Sequence, residues 1–231
     1  MERHLDTEIE SLRSRLIRMG GLVEQMIAEA IRALLERDVT LVPQTCQREA
    51  AISDLEEQVE EQGLAVIALH QPVAGDLRTV TACMMISQDL DRMADLARNI
   101  SLYSARLDRH LAGSDSLVDV GPMARATQQS VRDAINCFVR RDAALARDII
   151  ERDDTIDNFN DQLSRELREA MTQNSSNVEP GFAMILVIRA LERIGDHATS
   201  IANDVIQCVE GFGSRSRNGR LEHGDRASHA A

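Results

Sequence analysis

The segment Leu90-Asp91-Arg92-Met93-Ala94-Asp95 returns as Leu191-Glu192-Arg193-Ile194-Gly195-Asp196, an offset of 101 (191 − 90). In both copies the pattern is an apolar residue, an acid, an arginine, two small or apolar residues and an acid. Further upstream the echo continues at an offset of 104 (141 − 37). Glu29-Ala30-Ile31 answers to Asp133-Ala134-Ile135, Arg37-Asp38 to Arg141-Asp142, and Ile52 and Val59 to Ile156 and Leu163. Self-similarity at one long period marks a duplicated folding unit. The change of offset places a three-residue deletion in the second copy. There Asn174-Ser175-Ser176-Asn177 stands for His70-Gln71-Pro72-Val73.

Within the first copy, apolar periodicity defines three helices. Leu5, Ile9, Leu12, Leu16, Met19, Val23, Met26 and Ala30 step by fours and threes, the stripe of a bundle helix. Gly20-Gly21 interrupts the run and admits three readings, a bend, a close approach by a neighbour, or simple tolerance within a long helix. Asp38 to Pro43 is a turn. A second helix covers about Gln44 to Ala68 and stops at His70-Gln71-Pro72, because proline removes a helical hydrogen bond. The third starts near Asp76 and fades by Ala112-Gly113-Ser114-Asp115; the stretch from Gln71-Pro72 to Arg78 reads either as a docking loop or as a plain turn and helix start capped by Asp76. The expected architecture is all-α, a tandem repeat of two antiparallel three-helix bundles packed on one another. The units are 1–112 and 113–212, followed by a disordered tail, 213–231, that lacks periodicity.

Composition narrows the function. The net charge of −12 argues against nucleic acid, whose phosphates require basic surfaces, and 2% aromatic residues offer no stacking platform. No run reaches the roughly 18 apolar residues of a membrane span, and Met1-Glu2-Arg3-His4-Leu5-Asp6 has no apolar signal core. These features point to a cytoplasmic protein without membrane insertion. Cys46, Cys83, Cys137 and Cys208 form no C-x-x-C pair and read as buried thiols. No phosphate loop, nucleophile elbow or triad spacing is present, so no enzymatic activity is expected.

The acidic residues carry the candidate site. Asp91 and Asp95, and likewise Glu192 and Asp196, lie at i, i+4, on one helix face and about 6 Å apart. On the second helices Glu56 and Glu60 form such a pair in the first unit, and Asp157 and Asp161 in the second. Each unit thus brings two acidic pairs to neighbouring helices. Clustered carboxylates suit hard cations such as magnesium, calcium, manganese or iron, and acidic pairs are also ordinary features of solvated helices. Glu-x-x-His, the motif of ferritin-like di-iron bundles, is absent. His197 points about 100° away from Asp196 around the helix and reads as a surface or interface residue.

Met19-Gly20-Gly21-Leu22-Val23-Glu24, Gln71-Pro72-Val73-Ala74-Gly75-Asp76-Leu77-Arg78 and the twin Leu-(Asp/Glu)-Arg-x-x-Asp segments together resemble the PhoU family of phosphate-transport regulators. The resemblance runs from about Leu5 to Phe212. It implies paired three-helix bundles, usually dimeric, that restrain phosphate uptake and the phosphate-starvation response. Such proteins connect the ATPase subunit of the phosphate ABC transporter to a phosphate-sensing histidine kinase. Some members hold multinuclear metal clusters, iron among them. The resemblance makes Asp91, Asp95, Glu192 and Asp196 the third-helix ligands, and Glu56 and Glu60 the second-helix ligands of the first unit. This chain departs from the family pattern in two places. Asp91 replaces the commoner glutamate, and Asn160 and Ser164 occupy the positions of Glu56 and Glu60, leaving Asp157 and Asp161 to substitute. The first bundle is therefore expected to hold the fuller ligand set.

Overall fold

A computed structural model describes residues 2–110 and 116–211. The linker-like Ala112 to Asp115 and the expected tail from Gly213 lie outside the described residues. The rest is helical: α1 (Glu2–Leu35), α2 (Val42–His70), α3 (Ala74–His110), α4 (Gly121–Arg140), α5 (Ala143–Glu151), α6 (Asp153–Gln173) and α7 (Val178–Glu210). Helices α1 to α3 make the first three-helix unit. Helices α4, α5–α6 and α7 make the second, with its middle helix broken.

The apolar stripe of α1 is the core stripe. Leu12, Leu16, Met19, Val23, Met26 and Ala30 are essentially inaccessible to water. Burial of a full leucine or methionine side chain contributes about 1.5–3 kcal/mol, so this one face supplies much of the drive that docks α1 onto α2 and α3. Helix α2 starts with Pro43 in its first turn, where a missing N–H costs nothing, and ends at Gln71 in the left-handed region ahead of buried Pro72. Asp76 falls inside the first turn of α3, which opens at Ala74. It therefore does not cap the helix as expected; its carboxylate instead complements the positive end of the helix dipole.

One polar motif recurs in both units. Arg48 on α2 grips Glu29 on α1 through Nη2 at 2.8 Å and Nε at 3.2 Å, while Gln25 donates to Glu29 at 3.1 Å. At the offset of 104, Arg152 reaches Asp133 on α4 at 2.7 Å and Gln129 donates to Asp133 at 2.9 Å. Glu29 is only 9% exposed; a buried carboxylate is tolerable when a guanidinium and an amide satisfy it. The turns that follow α1 and α4 also match. Asp38 accepts from the Thr40 amide, and Asp142 accepts from the amides of Ala144 and Leu145.

The break between α5 and α6 falls at Arg152. In the first unit the equivalent Arg48 is followed by Glu49-Ala50-Ala51, and the helix runs on. In the second, Asp153-Asp154-Thr155 follows. Aspartate and threonine are poor interior helix formers, but acids favour a helix N-terminus. The chain restarts a helix there, and Arg152 Nε bonds back to the Asp148 carbonyl at 3.1 Å.

The two units join through α3 and α7, with α1 against α4 as a secondary contact. Thr79 near the start of α3 lies 3.7 Å from Cys208 near the end of α7. Farther along, His197 Nδ1 lies 2.9 Å from Asp89 Oδ1. These contacts make α3 and α7 antiparallel and show His197 to be an interface histidine. Cys83 and Cys137 are buried, and burial pushes each thiol up to about 12; Cys46 and Cys208 are half-buried, and all four thiols are free.

The two mid-helix glycines differ. A Cβ on Gly20 would lie 3.2 Å from Ile135 of α4, so this glycine serves the close approach of the two units, whereas a Cβ on Gly21 meets nothing within 4 Å. Replacing Gly21 with alanine should therefore stabilise the protein by about 1 kcal/mol in urea denaturation, and Gly20→Ala should gain little or lose. Equal gains at both positions would contradict this packing.

Candidate functional site

In the first unit α2 and α3 do bring acids together. Ser53 on α2 donates to Asp91 Oδ1 on α3 at 2.7 Å. One helical turn on, the Glu56 carboxyl is pushed above its ordinary range by partial burial, then by the charges of Glu60, Asp91 and Glu57. Glu56, Glu60 and Asp91 thus share one patch. Asp95 sits at its margin, half exposed and paired with Arg98 at 3.1 Å.

The second unit gathers more mutual repulsion. Burial and the neighbouring charges of Asp196 and Asp157 raise Glu192. Burial and Asp157 raise Asp196, with His197 and Arg193 opposing. Asp157 itself is raised by burial, then by Asp153, Asp154 and Asp161. Asp161 lies one turn along α6 from this centre. The cause of the crowding is apolar: a Cβ on Gly195 would lie 2.8 Å from Ile156 Cδ1. Ile156 therefore fills the notch that Gly195 leaves, drawing α6 onto α7, and the next residue on each helix, Asp157 and Asp196, is carried into range.

Asp153 is a member that reading by pairs missed. Its carboxyl is raised by burial and by Asp196 and Asp154, and steadied by Thr199, whose hydroxyl donates to Asp153 Oδ1 at 3.0 Å. The signal was in the sequence, since Asp153 is a further i−4 step from Asp157. Asn160, at the position of Glu56, hydrogen-bonds Glu192 and so supplies an amide where the first unit has a repelling carboxylate.

These oxygens match the chemistry of a hard cation. Among the described residues, however, no three His, Cys, Asp or Glu side chains converge as a ready coordination sphere. Ser53, Arg98, Thr199 and Asn160 take oxygens that a metal would claim. The arrangement is an open donor set, whose members would turn from these partners to hold an ion: Glu56, Glu60, Asp91 and Asp95 in one unit, Asp153, Asp157, Glu192 and Asp196 in the other.

Carboxyls raised by folding are least comfortable when ionised. Their penalty is fully present above the folded-state pKa and is relieved as pH falls through it. Asp157→Asn should therefore stabilise the protein at pH 7 by about 0.3–0.5 kcal/mol, the scale of like-charge helix pairs, reduced further by solvent screening. The gain should vanish near pH 4 and shrink in high salt. A loss of stability at pH 7, measured by urea denaturation, would show that the carboxylate is held by an attraction.

The family model described as "PhoU domain" matches this chain twice, at residues 16–103 and 120–205. The protein from Pseudomonas putida named "Phosphate-specific transport system accessory protein PhoU homolog" is 33% identical over 211 residues, covering 91% of this chain and 82% of its own. A protein of the same name from Rhizobium meliloti (strain 1021) is 32% identical, covering 89% and 87%. Among solved structures, that of PhoU from Pseudomonas aeruginosa superposes with a TM-score of 0.86 at 32% identity, over 89% of this chain and 99% of that one. With the family's domain matched in each unit, and with relatives and a solved fold alike over most of its length, this chain belongs to the PhoU family.

Proposed function

We propose that this protein is a regulatory accessory component of phosphate transport, not an enzyme. It acts in the cytoplasm as a homodimer, restraining phosphate uptake and the phosphate-starvation response. In this reading it bridges the ATPase subunit of the phosphate ABC transporter and a phosphate-sensing histidine kinase. The observation that carries the reading is the double match to the PhoU domain, with relatives named as phosphate-transport accessory proteins. The architecture supports it: two helical units share one α3–α7 interface, so each can present a face while the other is engaged. No described helix is long and apolar enough to cross a membrane.

A second reading makes the protein a metal-binding helical protein, handling iron or another hard cation. It is favoured by one observation, the raised carboxyls of Glu56, Asp153, Asp157, Glu192 and Asp196. A cation between them would replace repulsion with attraction. Within the regulatory reading the same ion would stabilise the bundle surface or bridge to a partner.

Deletion of the gene should raise phosphate uptake and derepress starvation genes in high phosphate. Unchanged uptake and expression would contradict the regulatory reading. Complementation with Asp91→Ala, Asp95→Ala, checked by elemental analysis of protein purified without chelator, separates the two readings. Regulation restored without bound metal makes metal incidental, and regulation lost together with metal makes it essential.

A further inference from the structure

The α2–α3 turn and the helix end before it differ between the two copies. In the first unit Leu64, Leu69 and Val73 are 54%, 78% and 74% exposed. Leu69 and Val73 are the most exposed large apolar side chains among the described residues. Helix positions Glu57, Glu61, Leu64, Ala65 and Ala68 are all exposed and fall at i, i+4, i+7, i+8 and i+11, one continuous face about 17 Å long. That face is acidic at one end and apolar at the other, where Leu69 and Val73 extend it. The turn that ends it holds two non-glycine residues in the left-handed region, Gln71 (φ 47°) and Ala74 (φ 45°).

The second unit is an internal control for what the fold itself requires. At the offset of 104, Leu64, Ala65, Ala68 and Leu69 become Arg168, Glu169, Thr172 and Gln173, all exposed. Glu61 becomes Arg165. The corresponding turn, Asn174 to Asn177, has no left-handed residue. The end of the second helix and its turn are therefore made with a mixed-charge surface and relaxed backbone, while Val178 and Phe182 stand 49% and 58% exposed at the start of α7. Folding the end of this helix therefore demands neither the exposure of Leu64 and Leu69 nor the strained turn of the first unit.

We propose that this face of α2, with the α2–α3 turn, is a docking surface for an amphipathic helix of a protein partner. The partner helix carries an apolar side that covers Leu64, Leu69 and Val73, and lysines or arginines that meet Glu57 and Glu61. Charge selects that occupant. An apolar patch continuous with acids, on a protein of net charge −12, repels an anionic membrane surface and an acidic helix and attracts a basic one. The proposal deepens the adaptor reading by locating one partner face on the first unit only; it rests on that reading for the partner's role and on this chain's own residues for the face.

The test uses the full chain and a fluorescently labelled amphipathic peptide of leucine and lysine, roughly 18 residues long to span the face, followed by anisotropy. The wild-type protein should bind it. Leu69→Ser, Val73→Ser should weaken binding about tenfold or more, the scale of losing a buried apolar anchor, with an unchanged melting temperature because both side chains are exposed. Glu57→Lys, Glu61→Lys should weaken it and flatten its salt dependence. Arg168→Ser, Gln173→Ser, the matching change in the second unit, should leave it unaltered. The proposal is overturned if wild-type protein does not bind the peptide, or if the Leu69 and Val73 changes leave affinity intact. It is also overturned if a leucine–glutamate peptide or phosphatidylglycerol vesicles bind as well. Loss of a homodimer in the Leu69 and Val73 variant, with peptide affinity unchanged, would assign the face to a second copy and equally overturn it. Failure of the regulatory reading is distinguishable, since it would appear in the deletion strain while peptide binding persisted.

Discussion

The antiparallel packing of α3 on α7 is the constraint from which the rest of the molecule hangs. Asp89 and His197 meet near its middle, each with only about 15% of its side chain exposed, and a polar pair in such a place persists because each group satisfies the other. Their repeat-equivalents are Ala190 and Leu96, so the pair also breaks the symmetry of the duplication at its centre. Around this axis each unit hangs its remaining helices. How closely they approach is decided by small residues: Gly20 admits Ile135 between α1 and α4, and Gly195 admits Ile156 between α7 and α6.

What the two copies share and what they do not divides along physical lines. The glutamine–acid–arginine motif joining first and second helices survives in both, because a shielded carboxylate left without its guanidinium is costly. The aspartate that caps the segment after the first helix survives as well. Apart from the interface pair Asp89 and His197, much of the divergence lies where side chains face water. Acids slide about two turns along the second helix, from Glu56 and Glu60 to Asp153 and Asp157, and an apolar acidic face becomes a mixed-charge one. The carboxylates are crowded by packing beneath them rather than by attraction among themselves, which is why burial leads every raised acid. A surface that stores repulsion is a surface that gains from a cation or a basic partner.

Much of this was legible in the sequence. The twin Leu-(Asp/Glu)-Arg-x-x-Asp segments and the stripe from Leu5 to Ala30 are local, periodic signals, and they fixed the helices and the duplication. The acidic pairs were visible for the same reason, being four residues apart on one helix. What was not legible depends on distances between helices. The neighbour of Gly20 and the pairing of His197 with Asp89 follow from how α1, α3, α4 and α7 pack. The break at Arg152 had a local cause in Asp154-Thr155 replacing Ala50-Ala51, but its partner, Asp133, lies on another helix. The expectation that Asp76 caps α3 failed because the strained Gln71–Ala74 turn lets the helix begin earlier.

The central claim, a two-unit helical regulator that works by contact, is tested most directly by sedimentation of the purified full chain. It would be mixed with the phosphate transporter's ATPase subunit and, separately, with the cytoplasmic region of the phosphate-sensing kinase. The account predicts a stable complex with each. Independent sedimentation of all components, with neither partner bound, would contradict it.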